Sequence, residues 1–157
     1  FIHLTDHPII VCKHCHFAYV AQEAGSHLKA EHPGITAKER KSIITAIQGI
    51  PGLIQDQAEL LQWTLPPPHT TLIPYIKPPM KDGLGCNACL YVARSRNQMV
   101  KHCCKEHGWT NSRKRGRCAK GSEAGMPAVP WRSNVQCQRL FKTRVASSWF
   151  EVGREIP

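Results

Sequence analysis

Four metal-ligand residues, two cysteines and then two histidines, recur twice in one order. C-x2-C-x11-H-x4-H runs through Cys12, Cys15, His27 and His32, and C-x2-C-x12-H-x4-H runs through Cys86, Cys89, His102 and His107. A C-x2-C knuckle points two sulfurs at one ion, and two imidazoles downstream complete the four donors that zinc takes as a tetrahedron. One such pattern could be an accident in a chain with nine histidines. Two, matched in order and differing by one residue in spacing, point to two structural zinc ions per chain. Residues five apart on an ideal helix lie about 140° apart, so the second histidine of each pair is expected from a loosened last turn. A glycine stands just beyond each site (Gly34, Gly108) and is expected to end the helix in a left-handed conformation.

The rest of the chain offers little core for its length. It has 157 residues, of which 7% are aromatic, and it carries 12 prolines. Small modules of this kind need staples, and a structural zinc contributes on the order of 10 kcal/mol to folding at neutral pH. The remaining cysteines, Cys103, Cys104, Cys118 and Cys137, are irregularly spaced. Paired knuckles with downstream histidines favour a reducing compartment over a disulfide framework. No signal peptide and no membrane-length apolar run stands in the sequence, and an intracellular, nuclear location is expected.

These signals predict small α+β zinc-stabilised modules: two zinc-finger-like ββα units joined by a helix and a Pro-rich linker, with an irregular C-terminal segment. The first finger spans 8–34, with Ile9 to Val11 as its first strand. A helical connector follows over 35–64. Thr36 with Glu39 three residues on is a capping-box signature, and Ile43, Ile44 and Ile47 form a stripe at helical spacing. The spacing predicts a helix over 37–48, ended by Gly49, and a second over 53–63 through Ile54, Ala58 and Leu61. Six of the prolines crowd into the linker, 65–83, which reads as an extended spacer. The second finger spans 84–109, a basic flexible segment 110–130, and a short packing element 131–153. Trp131, Val135, Leu140, Phe141, Trp149 and Phe150 supply that element with apolar matter to fold back on the second finger, with Trp109 as partner.

Charge divides the chain. The net +10 falls entirely on residues 94–157, while residues 1–93 balance at zero. Such asymmetry points to nucleic acid, bound with low specificity. In a DNA-reading finger, helix positions −1, 3 and 6 meet bases and the first histidine stands at 7. Counting back from His102 gives Ser95, Gln98 and Lys101; Gln pairs with adenine and Lys with guanine. Arg94, Arg96 and Lys105 are placed for phosphates, and Arg113, Lys114, Arg115 and Arg117 form a basic cluster beyond. The same count from His27 gives Val20, Glu23 and Ser26, with Gly25 in the helix, so the first finger reads as structural or protein-contacting. With 53 residues between His32 and Cys86, the two cannot follow a groove as a tandem array.

The layout resembles the fungal family named after orsellinic acid/F9775 biosynthesis cluster protein D. The resemblance runs from about residue 8 to 152 and is carried most specifically by HCCKEHGW, from His102, and VQCQRLF, from Val135. It implies a fungal chain with two zinc-finger-like segments. Similar regions stand at the front of longer fungal proteins, some with helicase-like or recombinase-like parts.

Catalysis is not expected. A catalytic zinc keeps an open position, whereas both donor sets are complete, and no phosphate loop or nucleophile motif is present. Neither a small-molecule substrate nor a membrane partner is expected. The expectation is a zinc-binding module that contacts nucleic acid through the second finger and the basic C-terminal third. The alternative is a protein-interaction module using the first finger and the Ile43 stripe, attached to or working with a larger fungal protein, or an accessory protein of a secondary-metabolite cluster.

Overall fold

The structure, a computed structural model, describes residues 1–111 and 128–157. Among the described residues it is α+β, with two antiparallel sheets and four helices. The first sheet runs β1 (Ile2–His3), β2 (Ile10–Cys12), β3 (Phe17–Tyr19). Strand alternation sorts its residues: Val11 and Ala18 enter the main core with Ile9 and Val20, whereas Ile10 faces the helices. The first residues are thus part of the first sheet.

A 3₁₀ turn over Ala21–Glu23 feeds helix α1 (Ala24–Glu31), and α2 follows at Ala37–Gln48. The expected capping box fixes where α2 begins: Glu39 N donates to Thr36 Oγ1 at 3.3 Å, and Thr36 N donates to Glu39 Oε2 at 2.8 Å. Its isoleucine stripe turns inward. Ile47 is buried with Ala24 and Ile10, Ile43 packs beside them, and a Cβ on Gly25 would stand 3.0 Å from Ile44 Cδ1. Gly25 therefore leaves room for the Ile44 side chain against α1.

The second connector helix is shorter than its spacing predicts. Only α3 (Gln57–Leu60) forms, capped by Asp56, and Leu60 is buried while Leu61 is 70% exposed. Competing backbone bonds are the reason. Ile54 N donates to Pro8 O at 2.8 Å, and Ala21 N and Gln22 N donate to Ile54 O and Gln55 O at 3.0 Å, which pins 54–55 against the first half.

The proline-rich run is extended, but it is a strap rather than a spacer. Ile73 and Ile76 enter the main core. The buried Gln138 side chain satisfies the strap's backbone: Oε1 accepts from Ile73 N at 2.9 Å, and Nε2 donates to Ile73 O at 3.1 Å and Lys77 O at 3.2 Å. Prolines cannot donate to a strand ladder, so one amide side chain pairs the few polar groups that the strap buries.

The second sheet has the order β5-β4-β6-β7, from β4 (Met80–Cys86), β5 (Val92–Ala93), β6 (Trp131–Gln138) and β7 (Phe150–Glu151); helix α4 (Arg96–His107) lies between β5 and β6. The C-terminal segment is therefore not irregular: it supplies a sheet strand of eight residues, β6. Close approach explains why β4 contains Gly83 and Gly85. A Cβ on Gly83 would fall 2.6 Å from Val135 O, and one on Gly85 would fall 2.9 Å from an Arg132 guanidinium nitrogen. Register shifts flank Gly83, and Asn134 opposite takes φ 58°, marking a bulge.

β6 ties the molecule together. Trp131 packs with Cys86, Ala93, Met99 and Cys103; Val135 and Cys137 pack with Val92. Leu140 and Phe141, just beyond, join the main core beside Ile9 and Val11. The expected fold-back onto Trp109 is present, its ring edge-on to Trp131 at 5.4 Å. The segment also reaches the first half, where Ala18 N donates to Leu140 O at 2.7 Å.

Two outcomes follow from this packing. Gln138→Ala leaves two buried backbone groups, Ile73 N and O, unpaired and should cost about 2–3 kcal/mol, read by urea unfolding of the metal-loaded chain. Glu151 is paired with Arg132 and Arg154. Burial alone would raise its pKa, but hydrogen bonds from both arginines hold it below the usual carboxylate range. The stability it contributes is therefore present above the ordinary carboxylate pKa and lost as pH falls through the lowered one. The stability gap between the native chain and Glu151→Gln should be widest near neutrality and close in acid. A gap that persists unchanged below about pH 3 would refute this sign.

Candidate metal centres

Each ligand set is built on a turn between two strands and on the helix after them. In the first, the β2–β3 turn carries Cys12 and Cys15, and His16 N closes the knuckle on Cys12 O at 2.8 Å. α1 brings His27, and its C-cap is His32. In the second, Cys86 ends β4, Cys89 lies in the loop, and α4 carries His102 and His107. In each set the four donor atoms lie within 4.8 Å of one another.

The separations fit one tetrahedral ion of zinc's size. Zinc–sulfur and zinc–nitrogen bonds of about 2.3 and 2.0–2.1 Å place donors roughly 3.3–3.8 Å apart. His32 Nε2 stands 3.3 Å from Cys12 Sγ, 3.5 Å from Cys15 Sγ and 3.2 Å from His27 Nε2. Cys89 Sγ stands 3.2 Å from His102 Nε2. Both groups are positioned to hold a metal ion.

The helix ends differ from each other. Gly108 has φ 62° and caps α4 in the left-handed region, as its position predicts. Gly34 does not. Instead His32 leaves the helix at φ −130°, before Pro33, which has no N–H to continue it. In α4 the helix runs through His107 itself.

Electrostatics suit the ligand role. Burial and then the neighbouring histidine lower the pKa of His27 and of His102, favouring the neutral imidazole that binds metal. Burial raises Cys15, and the adjacent Cys12 sulfur raises it further. A cation between them would reverse both effects. Burial also works against the Cys86 thiolate, but backbone N–H groups of Ala88 and Cys89 outweigh it and bring the thiol below its usual range.

The spacing pattern does not disclose the groups that orient these ligands. Tyr19 stacks on His27 and Tyr91 on His102, each at 3.9 Å between ring centroids. Phe1 meets His27 edge-on at 5.8 Å. Tyr19 comes four residues after its cysteine and Tyr91 two, so no shared spacing announces them. Cys103 is buried beside Cys86, and burial, then the Cys86 sulfur, pushes its thiol up to about 11. Cys104 is exposed, and Cys137 is buried against β4. Among the described residues every cysteine is a free thiol; Cys118 lies outside them.

The residues singled out for nucleic acid are placed unevenly. Gln98 and Lys101 are exposed on α4, and Ser95 is its N-cap. Arg94 is engaged: Nε donates to Asp82 Oδ1 and a terminal nitrogen to Oδ2, both at 2.8 Å, with the guanidinium 5.0 Å from the Trp149 ring. Arg96 lies over Trp131 at 6.0 Å, and Lys105 pairs with Glu106 at 3.2 Å. Arg113, Lys114, Arg115 and Arg117 lie outside the described residues. In the first half Val20 is buried and Glu23 is paired with Arg144 at 2.8 Å, while Ser26 is exposed.

The centres differ in exposure. Cys12 and His27 are 3% and 7% exposed, whereas Cys89 and His107 are open to solvent. A chelator should strip the second site first, in two resolved phases, and Cys89→Ser should remove one ion while leaving the other bound. Simultaneous loss of both ions in either experiment would contradict independent sites.

No curated protein and no solved structure matches the chain. Residues 1–108 do match a family, described as orsellinic acid/F9775 biosynthesis cluster protein D. The matched stretch holds all eight candidate ligands and ends one residue past His107, short of the VQCQRLF segment. Over two thirds of its length, therefore, the chain belongs to the orsellinic acid/F9775 biosynthesis cluster protein D family.

Proposed function

We propose that the chain is a non-catalytic zinc-binding module of the nucleus, with a ββα finger at each centre, that contacts nucleic acid through α4 and the basic residues after it. The observation that carries the metal reading is the pair of Cys2His2 sets with donor separations near the edges of a zinc tetrahedron. Four protein donors per ion leave no open position for a substrate or an activated water, which favours a structural role. Charge supports the nucleic-acid reading: the whole net +10 lies from residue 94 onward, and Gln98 and Lys101 stand exposed on one face of α4.

Docking of a protein partner on the α2 stripe has less support, because Ile43, Ile44 and Ile47 pack against α1. Membership of the family is compatible with an accessory role beside a biosynthetic cluster, since such a role needs binding rather than catalysis.

Metal analysis of purified chain should give two zinc ions. A gel-shift series in rising salt, with duplex DNA and with RNA, tests the contact. Four to six phosphate contacts give a slope of log affinity against log salt of about −4 to −5 on duplex DNA. Neutralising Arg113, Lys114, Arg115 and Arg117 together should flatten that slope with zinc content unchanged. No shift at low salt by the intact chain would remove the nucleic-acid reading.

A further inference from the structure

A cleft of about 190 Å³ is lined by Phe17, Lys77, Arg94, Arg139 and Trp149 among others. Its walls come from every part of the chain: β3, the strap, the residue after β5, and the segment after β6. Inside it, cations and rings alternate. Lys77 Nζ lies 4.9 Å from the Phe17 ring centre, and the Arg139 guanidinium lies 5.7 Å from the same ring and 4.9 Å from that of Trp149. Arg94 follows at 5.0 Å from Trp149, with its fork closed on Asp82.

The charges in this cleft do not balance. Three cations face one carboxylate, and Arg94 already takes both oxygens of that carboxylate. Among the described residues no acid lies within ion-pair reach of Lys77 or Arg139. Arg139 Nε is buried without a hydrogen-bond partner. Leaving a buried charged donor unpaired costs more than leaving a neutral one, and stacking on two rings orients a guanidinium without using its N–H groups. The cleft thus carries an excess of two positive charges set against two aromatic rings.

We propose that this cleft binds a phosphate group. A tetrahedral oxyanion of up to two negative charges matches the excess, and its oxygens match a guanidinium fork beside an ammonium. Size excludes larger ligands: pockets that enclose whole small molecules run from about 300 Å³ upward, so the cleft takes the phosphate and leaves what is attached to it outside. The group is either a free phosphate or phosphomonoester, or one phosphodiester of a nucleic-acid backbone. The site differs from the contact assigned to α4, since Phe17 and Lys77 belong to the first part of the chain.

The test titrates inorganic phosphate into the full metal-loaded chain by calorimetry, at constant ionic strength set with chloride. One saturable site per chain is expected. Arg139→Gln should weaken it at least about tenfold and Lys77→Gln about fivefold, while Lys38→Gln, on the exposed face of α2, leaves it unchanged. Lys77 is exposed, so its variant keeps the result readable even if Arg139→Gln fails to fold, which zinc content and circular dichroism report. Absence of saturable binding, equal affinity in Lys77→Gln, or equal binding of acetate would overturn the site. A short single-stranded oligonucleotide added to the phosphate-saturated chain then decides the source. Displacement assigns a backbone phosphodiester, and no displacement assigns a free phosphate or monoester; either keeps the phosphate site.

Discussion

β6 can lie along β4 only because Gly83 has no side chain. Any Cβ at Gly83 would enter the Val135 carbonyl, a clash with backbone that no rotamer relieves. Much of the second half's packing depends on that approach. It sets Trp131 against the second metal centre, Val135 and Cys137 against β5, and Gln138 beneath the strap. It also delivers Leu140 and Phe141 to the core of the first half. The two halves of the chain are thereby joined through a shared core and backbone hydrogen bonds.

The two metal centres share a donor grammar but not a setting. The first is folded into the body, with Cys12 in a three-stranded sheet, α1 braced by α2, Val20 in the core and Glu23 in an ion pair. The second has Cys89 and His107 at the surface and an open helix face. One orienting device recurs, a tyrosine ring stacked on the first histidine. Such outer groups fix the direction from which an imidazole nitrogen meets the ion. Burial makes one centre an anchor, and exposure leaves the other available for contact.

Positive charge is not the same as available positive charge. Arg94 is closed on Asp82, and Arg132 and Arg154 converge on Glu151, whereas Arg139 and Lys77 lie over aromatic rings that leave their N–H groups unused. With aromatics at 7% of the chain, the fold gets much use from each ring by placing cations on it. The net charge of the C-terminal third therefore overstates how many phosphates it meets through its described residues.

The eight ligands and the limits of α2 were legible in the sequence because short-range chemistry decides them. A knuckle and a capping box are set by residues two or three positions apart. Family membership was legible too, from the HCCKEHGW and VQCQRLF motifs, of which only the first reaches into the matched stretch. The truncation of the 53–63 helix, the strap and β6 were not. Each depends on hydrogen bonds to partners far along the chain, such as Pro8 for Ile54 and Gln138 for Ile73, and no local pattern encodes such a partner. Arg94 shows the same limit within a site: the sequence supplied a cation, and only the pairing of β4 with β5 placed Asp82 in its fork. The sequence determined which atoms could meet a metal; the tertiary structure decided which charges were left free, because pairing depends on what long-range packing brings within reach.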